Sequence, residues 1–259
     1  MELAHDRTGA GPPLVLIHGI GSRRGAWRPV VEQLAAERET VALDLPGFGD
    51  SPPLPPGTAP TVDALADAVE AFIGAQGLAR PHVAGNSLGG GIALELGRRG
   101  AVRSVAALSP VGFWTPAEVR AGGVALRVSH RLARDHGTLL TRIGRTATGR
   151  RLAFNLFYGR PARKDPDELA ADVAAMGGSP SFAATLPHTR TYVFRDGQEL
   201  RVPVTIGWGT RDRLLRPRQA ARARERLPRA RHVPLPHCGH VPMSDDPAGV
   251  AALLREASA

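Results

Sequence analysis

The segment His82-Val83-Ala84-Gly85-Asn86-Ser87-Leu88-Gly89-Gly90-Gly91 constrains this chain more than any other: a short apolar run breaks into glycines around one serine and then turns helical in character. Gly85-Asn86-Ser87-Leu88-Gly89 has the form G-x-S-x-G. Where such a pentapeptide joins a buried strand to a helix, the turn is so tight that side chains two residues either side of the serine would collide with neighbouring backbone. The serine then stands at a helix N-terminus, where free N–H groups and the positive end of the dipole favour a developing oxyanion. Three fixed positions in five also arise by chance, so the rest of the chain has to supply the partners that a serine nucleophile needs.

The surrounding pattern alternates strand and helix. Leu14-Val15-Leu16-Ile17 reads as a buried parallel strand ending in His18-Gly19-Ile20-Gly21, with room before it for one short strand. Trp27 to Glu37 places Trp27, Val30, Val31 and Leu34 at helical spacing, and Thr40 to Leu43 reads as a second strand, ending in Asp44-Leu45-Pro46-Gly47-Phe48-Gly49-Asp50-Ser51. A helix capped by Thr61 or Asp63 carries Val62, Leu65, Val69, Phe72 and Ile73 on one face. The serine strand, a helix from Leu88 to Arg98 and a strand from Val102 to Leu108 follow. The rhythm fails between Val111 and about Leu200, where helical segments succeed one another without a strand. It resumes with a strand over Val202 to Gly209, an arginine-rich helix from Pro217 to Leu227, a proline-bearing strand His232 to Leu235 expected at the sheet periphery, and a helix from Pro247 to Glu256. The expected fold class is α/β, a doubly wound, mostly parallel sheet built from residues 1–110 and 201–259, with a helical insertion over residues 111–200.

With 259 residues, one large core is the default. No window approaches the ~18 uninterrupted apolar residues of a membrane span. Met1 to Arg7 lacks the pattern of a signal peptide and Cys238 has no second cysteine to pair with, so a cytoplasmic protein without a membrane span is expected. The formal charge is +9, and the basic residues are nearly all arginine, Lys164 being the only lysine. They are spread widely, without a nucleic-acid motif or interleaved aromatics, so a solvated basic face and no nucleic-acid partner are expected.

In a parallel α/β sheet, reactive groups gather beyond the carboxyl ends of the strands. The residues there are His18, Asp44, Ser87, Asp212 and His240. A serine hydroxyl needs a base to take its proton, and a histidine with pKa near ~6.5 suits that task. The histidine in turn needs a carboxylate to fix its tautomer. Ser87, Asp212 and His240 supply these groups in the order nucleophile, acid, base.

The chain at this point resembles the α/β-hydrolase superfamily, through His18-Gly19, Asp44 to Ser51, Gly85 to Gly90, Gly209-Thr210-Arg211-Asp212 and Gly239-His240-Val241-Pro242. The resemblance covers essentially everything outside the insertion. It implies Ser87 as nucleophile, Asp212 as acid, His240 as base, an oxyanion hole from the N–H groups of Ile20 and Leu88, and a helical cap over residues 111–200. Asp196, Asp245 and Asp246 are competing acids, but none follows an apolar strand as Asp212 does, and the place after the preceding strand reads Ser109-Pro110-Val111. His18 and Asp44 read as anchors of their loops, His237 as a structural or rim residue, Cys238 as a packing residue, and Asn86 as a variation without consequence for the site. The expected protein is a cofactor-independent and metal-free serine hydrolase of a carboxylic ester, its small apolar or aromatic substrate meeting Trp114, Phe154 and Phe157. Serine rather than aspartate at the elbow argues against the dehalogenase and epoxide-hydrolase branches. Three alternatives remain: a carbon–carbon bond hydrolase of vinylogous diketones, which the Asn86-Ser87 pairing and the cap favour although Val241 stands where those enzymes carry tryptophan, a small-molecule receptor on the same fold, and cofactor-free oxygen chemistry on the same scaffold. The oligomeric state is not legible.

Overall fold

Strands after the first form where the apolar runs predict them, and the first takes the room left before Pro13. The computed structural model describes residues 1–195, 197 and 199–259. Its strands are β1 (His5–Thr8), β2 (Pro13–Ile17), β3 (Glu39–Leu43), β4 (His82–Asn86), β5 (Ser104–Leu108), β6 (Val204–Gly209) and β7 (Arg231–Leu235), in the sheet order β1-β3-β2-β4-β5-β6-β7. Only β1 is antiparallel to its neighbour; every other pairing is parallel, for example Ile17 opposite Gly85 and Asn86 opposite Leu108. β5 and β6 each begin two residues later than the apolar pattern suggests. The edge position of β7 accommodates Pro234, which lacks a backbone donor.

Alternate residues of each strand serve opposite faces. Val15, Ile17, Val83 and Val105 pack with helices α2 (Val62–Ala75), α3 (Leu88–Arg98) and α8 (Arg218–Arg226). Leu14, Leu16, Ala84 and Ala106 pack instead with α1 (Arg28–Leu34) and α10 (Pro247–Ala257). The sheet is thereby covered on both sides, as a doubly wound fold requires. α1 covers less than the Trp27 to Glu37 that its periodicity implies: Arg24–Trp27 is a 3-10 turn before it, with Pro29 tolerated in the first turn that follows, and at its end the chain turns, Glu37 N–H donating back to Leu34 O at 2.9 Å. The cap of α2 is Thr61, whose hydroxyl accepts from Ala64 N–H at 3.1 Å.

Between β5 and β6 the chain runs through α4 (Pro116–Gly144), α5 (Ala147–Ala153), α6 (Pro166–Gly178) and α7 (Phe182–Thr191), with no intervening strand among the described residues. α4 starts from a reciprocal cap in which Thr115 and Glu118 exchange side chain–backbone bonds, and it kinks at His136, where φ is −132° and ψ 25°. A four-residue helix, α9 (Pro242–Asp245), precedes α10. Asp196, one of the competing acids, lies outside the described residues.

Candidate active site

β4 delivers Ser87 to a turn that only this glycine pattern allows. Ser87 has φ 57° and ψ −114°, a left-handed conformation unusual for a residue with a side chain. A Cβ on Gly85 would lie 2.0 Å from Gly89 O, and one on Gly89 2.3 Å from Ile17 O, so both positions exclude any side chain. The Ser87 carbonyl accepts from Gly91 N–H and Val111 N–H, each at 3.1 Å, which holds the strained residue in place. Leu88, the first residue of α3, has a backbone N–H that an α-helix leaves without an internal partner. The His18-Gly19 loop lies against the same turn: a Cβ on Gly19 would be 3.1 Å from Ser87 Cβ.

His240 follows β7 and Asp212 follows β6, and the two meet. His240 Nδ1 donates to Asp212 Oδ2 at 2.9 Å, with both side chains almost wholly buried. Since the carboxylate can only accept, the ring's other nitrogen, Nε2, is left as acceptor when the imidazole is neutral. Asp212 Oδ1 accepts from Leu214 N–H at 2.9 Å and Leu215 N–H at 2.8 Å, so the carboxylate's orientation is set by backbone. The other described carboxylates after the last strands are engaged elsewhere. Asp246 caps α10 through Gly249 N–H. Asp245 accepts from the N–H groups of Gly159, Arg160 and Gly239 at 2.7 to 2.8 Å; burial nonetheless pushes its carboxyl above the usual range. It ties the His240 loop to the chain that follows α5. His237 is exposed at positive φ, and burial pushes the Cys238 thiol up to about 12, which makes it a poor nucleophile.

Asn86 does more than its reading as a variation without consequence allows. Its Nδ2 donates to His240 O at 2.9 Å and to Leu108 O at 3.1 Å, linking the serine turn, the histidine loop and the end of β5. A bond to a carbonyl distant in sequence leaves no periodic trace, so pattern reading had no means of finding it. Asn86→Ala is expected to lower kcat by roughly ten- to a hundredfold with KM little changed, since the histidine loop loses its tether. Steady-state kinetics check the split; a fall in kcat/KM that comes from KM alone, with kcat unchanged, would contradict the positioning role.

The loop after β2 is held by two buried groups. His18 Nδ1 donates to Gly19 O at 2.7 Å and Nε2 accepts from Leu45 N–H at 3.0 Å, so the ring is neutral with a defined tautomer. Asp44 accepts from Arg24 N–H at 2.6 Å and Asp50 N–H at 3.0 Å, and pairs with the Arg24 guanidinium. Burial drives the His18 pKa down, with the nearby Asp44 charge opposing. A depressed folded value means that this histidine's contribution to stability is complete above its unfolded pKa of about 6.5 and is eroded as pH falls from there, at up to about 1.4 kcal/mol per pH unit. Urea unfolding at pH 7.5 and pH 5 is expected to show a smaller difference for His18→Gln than for the wild type.

Ser87, Asn86, Gly19, Ile20 and His240 line one wall of a cavity of about 140 Å³. The opposite wall comes from α4 to α6, and includes Leu126, Ala133, Phe154, Phe157, Val173 and Met176. Trp114 is not part of it: its indole N–H donates to Tyr192 O at 3.1 Å and its ring packs on the main core, because the chain leaves β5 on that side before α4 begins. The main charged group on this wall is Asp172, whose Oδ2 accepts from Tyr158 OH at 2.7 Å and pairs with Lys164 Nζ at 2.9 Å. Burial and the Asp172 charge push the Tyr158 phenol well above its usual range, so it remains a donor. Among the described residues, no group of three or more His, Cys, Asp and Glu side chains converges as metal ligands would.

The model of the alpha/beta hydrolase family fits residues 14–253. The chain belongs to that family. The chain is 31% identical over 204 residues to epoxide hydrolase EphH of Mycobacterium tuberculosis, covering 73% of this chain and 91% of the relative. It is 40% identical over 116 residues to the dihydrolipoyllysine-residue acetyltransferase component of the acetoin cleaving system of Cupriavidus necator, but that match spans 44% of this chain and less than a third, 30%, of the relative. Among solved structures, a membrane phospholipase A described as a bacterial virulence factor superposes with TM-score 0.75 and 28% identity over 98% of this chain and 81% of its own.

Proposed function

We propose that this hydrolase cleaves a carboxylic ester of an apolar acyl or aromatic substrate through an acyl-enzyme on Ser87. The observation that carries the reading is the 2.9 Å bond from His240 Nδ1 to Asp212 Oδ2, with His240 and Ser87 on one wall of the same mainly apolar cavity. In this reading His240 Nε2 takes the Ser87 proton as Oγ attacks the ester carbonyl, and the N–H groups of Leu88 and Ile20 receive the oxyanion. The tetrahedral species collapses, the alkoxide leaves with the proton from His240, and water repeats the sequence to release the acid and restore the serine. Asp212 holds the ring in the tautomer that makes this possible. The helices of residues 111–200 act as a cap that selects the acyl group, with Phe154 and Phe157 against it.

The family relatives include an epoxide hydrolase by name and a phospholipase A by name. Ser87 in the elbow favours the second, since an ester carbonyl is what an activated serine attacks. A carbon–carbon bond hydrolase is less favoured: the Asn86 amide is committed to two backbone carbonyls, and the cavity residue after His240 is Val241. The test is a series of p-nitrophenyl esters of graded chain length beside a ring-fission diketone, with fluorophosphonate labelling of the same protein. Ester turnover with labelling confined to Ser87 is expected. Bleaching of the diketone without ester turnover would establish carbon–carbon cleavage, and absence of labelling together with no turnover of either substrate would favour a receptor.

A further inference from the structure

α4 has two apolar faces, and only one of them is used by the cavity. Leu126, Ala133 and Leu140 line the cavity. On the outer side Val124, Val128 and Leu132 before the kink, and Leu139 and Ile143 after it, are exposed to 52, 51, 43, 55 and 37%. Their spacing of four within each half puts each group on one side of the helix. Apart from Met1 and Leu152, these five are the exposed large hydrophobic residues among the described ones, so the exposure is gathered in one stripe. Leu132 also lines the cavity, which brings the stripe to the cavity's own wall.

The stripe is edged with positive charge. α4 contains five arginines against two carboxylates, Glu118 and Asp135. Glu118 is bound by Arg218 and Arg222, and Asp135 by Arg134. Arg120, Arg127, Arg131 and Arg142 have no ion-pair partner among the described residues. At 100° per residue they fall within about 60° of the apolar stripe, on its flank. A second copy of this chain would bring an identical row of arginines to the contact, on a molecule that also carries a net +9 overall, which repulsion disfavours. A surface that is apolar in depth and negative at its rim satisfies both features, and that is an anionic lipid layer.

We propose that α4 docks this protein on an anionic lipid surface, with the stripe in the acyl boundary and the arginines at the headgroups, and that its ester substrate is an amphiphile drawn from that surface past Leu132. The substrate half rests on the serine-hydrolase reading; the docking half does not. Docking is tested with the Ser87→Ala protein by co-sedimentation with vesicles of phosphatidylcholine alone and with vesicles half of phosphatidylglycerol. Binding to the second kind only, weakening with added salt, is expected. Val128→Asp with Leu139→Asp should lower that partitioning by about tenfold or more without altering the melting temperature. Arg120→Gln, Arg127→Gln, Arg131→Gln and Arg142→Gln together should remove the preference for phosphatidylglycerol. No vesicle binding, undiminished binding by the aspartate variant, or a dimer that the aspartates dissociate would each overturn docking. For the substrate half, the wild type should hydrolyse a long-chain ester faster when it is held in phosphatidylglycerol vesicles than in phosphatidylcholine, and the aspartate variant should lose that difference. Equal rates in both vesicles would overturn it. Vesicle binding without hydrolysis of any ester would instead reject the hydrolase reading and leave docking intact.

Discussion

Ser87→Ala is expected to lower kcat by roughly five to six orders of magnitude while the protein stays folded, since removal of a triad serine costs about as much as removal of the whole triad. The residue's conformation separates activity from stability. At φ 57° and ψ −114° any side chain is strained, by an amount on the order of 1–3 kcal/mol. Ser87→Gly removes that strain along with the nucleophile, so it should melt at a higher temperature than Ser87→Ala and at least match the wild type, though equally inactive. Calorimetry of the three proteins beside ester kinetics checks both halves. Residual turnover in either variant within a hundredfold of the wild type would remove Ser87 from the chemistry.

Asp212→Asn is expected to cost about 10³–10⁴-fold in kcat with little loss of stability. The side chain is nearly isosteric, and its remaining carbonyl oxygen can still accept from Leu214 and Leu215 N–H. Its amide, however, would face His240 Nδ1 where the carboxylate oxygen now sits at 2.9 Å. A donor opposite Nδ1 forces the proton to Nε2, the tautomer that cannot accept from the serine hydroxyl. Asp212→Ala should behave differently, because it leaves two buried backbone donors unpaired and adds about 1–3 kcal/mol of destabilisation to the loss of rate. Comparable stability for the two variants would contradict this account of the Asp212 contacts.

Much of the architecture was legible because it rests on local regularities. Alternating Val15/Ile17 and Leu14/Leu16 specify a strand buried on both faces, and the spacing of Leu65, Val69 and Phe72 specifies one buried helix face. The element order, the edge position of β7 and the insertion between β5 and β6 follow from such patterns. Departures lie at boundaries, where turns replace both ends of α1, and at Trp114, whose neighbour Tyr192 is far along the chain. Asn86 was present in the motif, yet its bond to His240 O spans 154 residues and leaves no periodicity behind.

The amino-acid sequence by itself determined which chemical groups stand at the strand ends: glycines compel a tight turn at Ser87, and apolar runs carry Asp212 and His240 to the same sheet edge. Tertiary structure decided how those groups meet. The Asp212–His240 bond, the Asn86 tether, the hold of Asp245 on the Gly159 loop and the division of α4 into a cavity face and an exposed face all depend on contacts between residues distant in the chain. Hydrogen bonds and packing act over a few ångströms in space whatever the separation in sequence, so they enter only when the sheet and the helices above it are assembled.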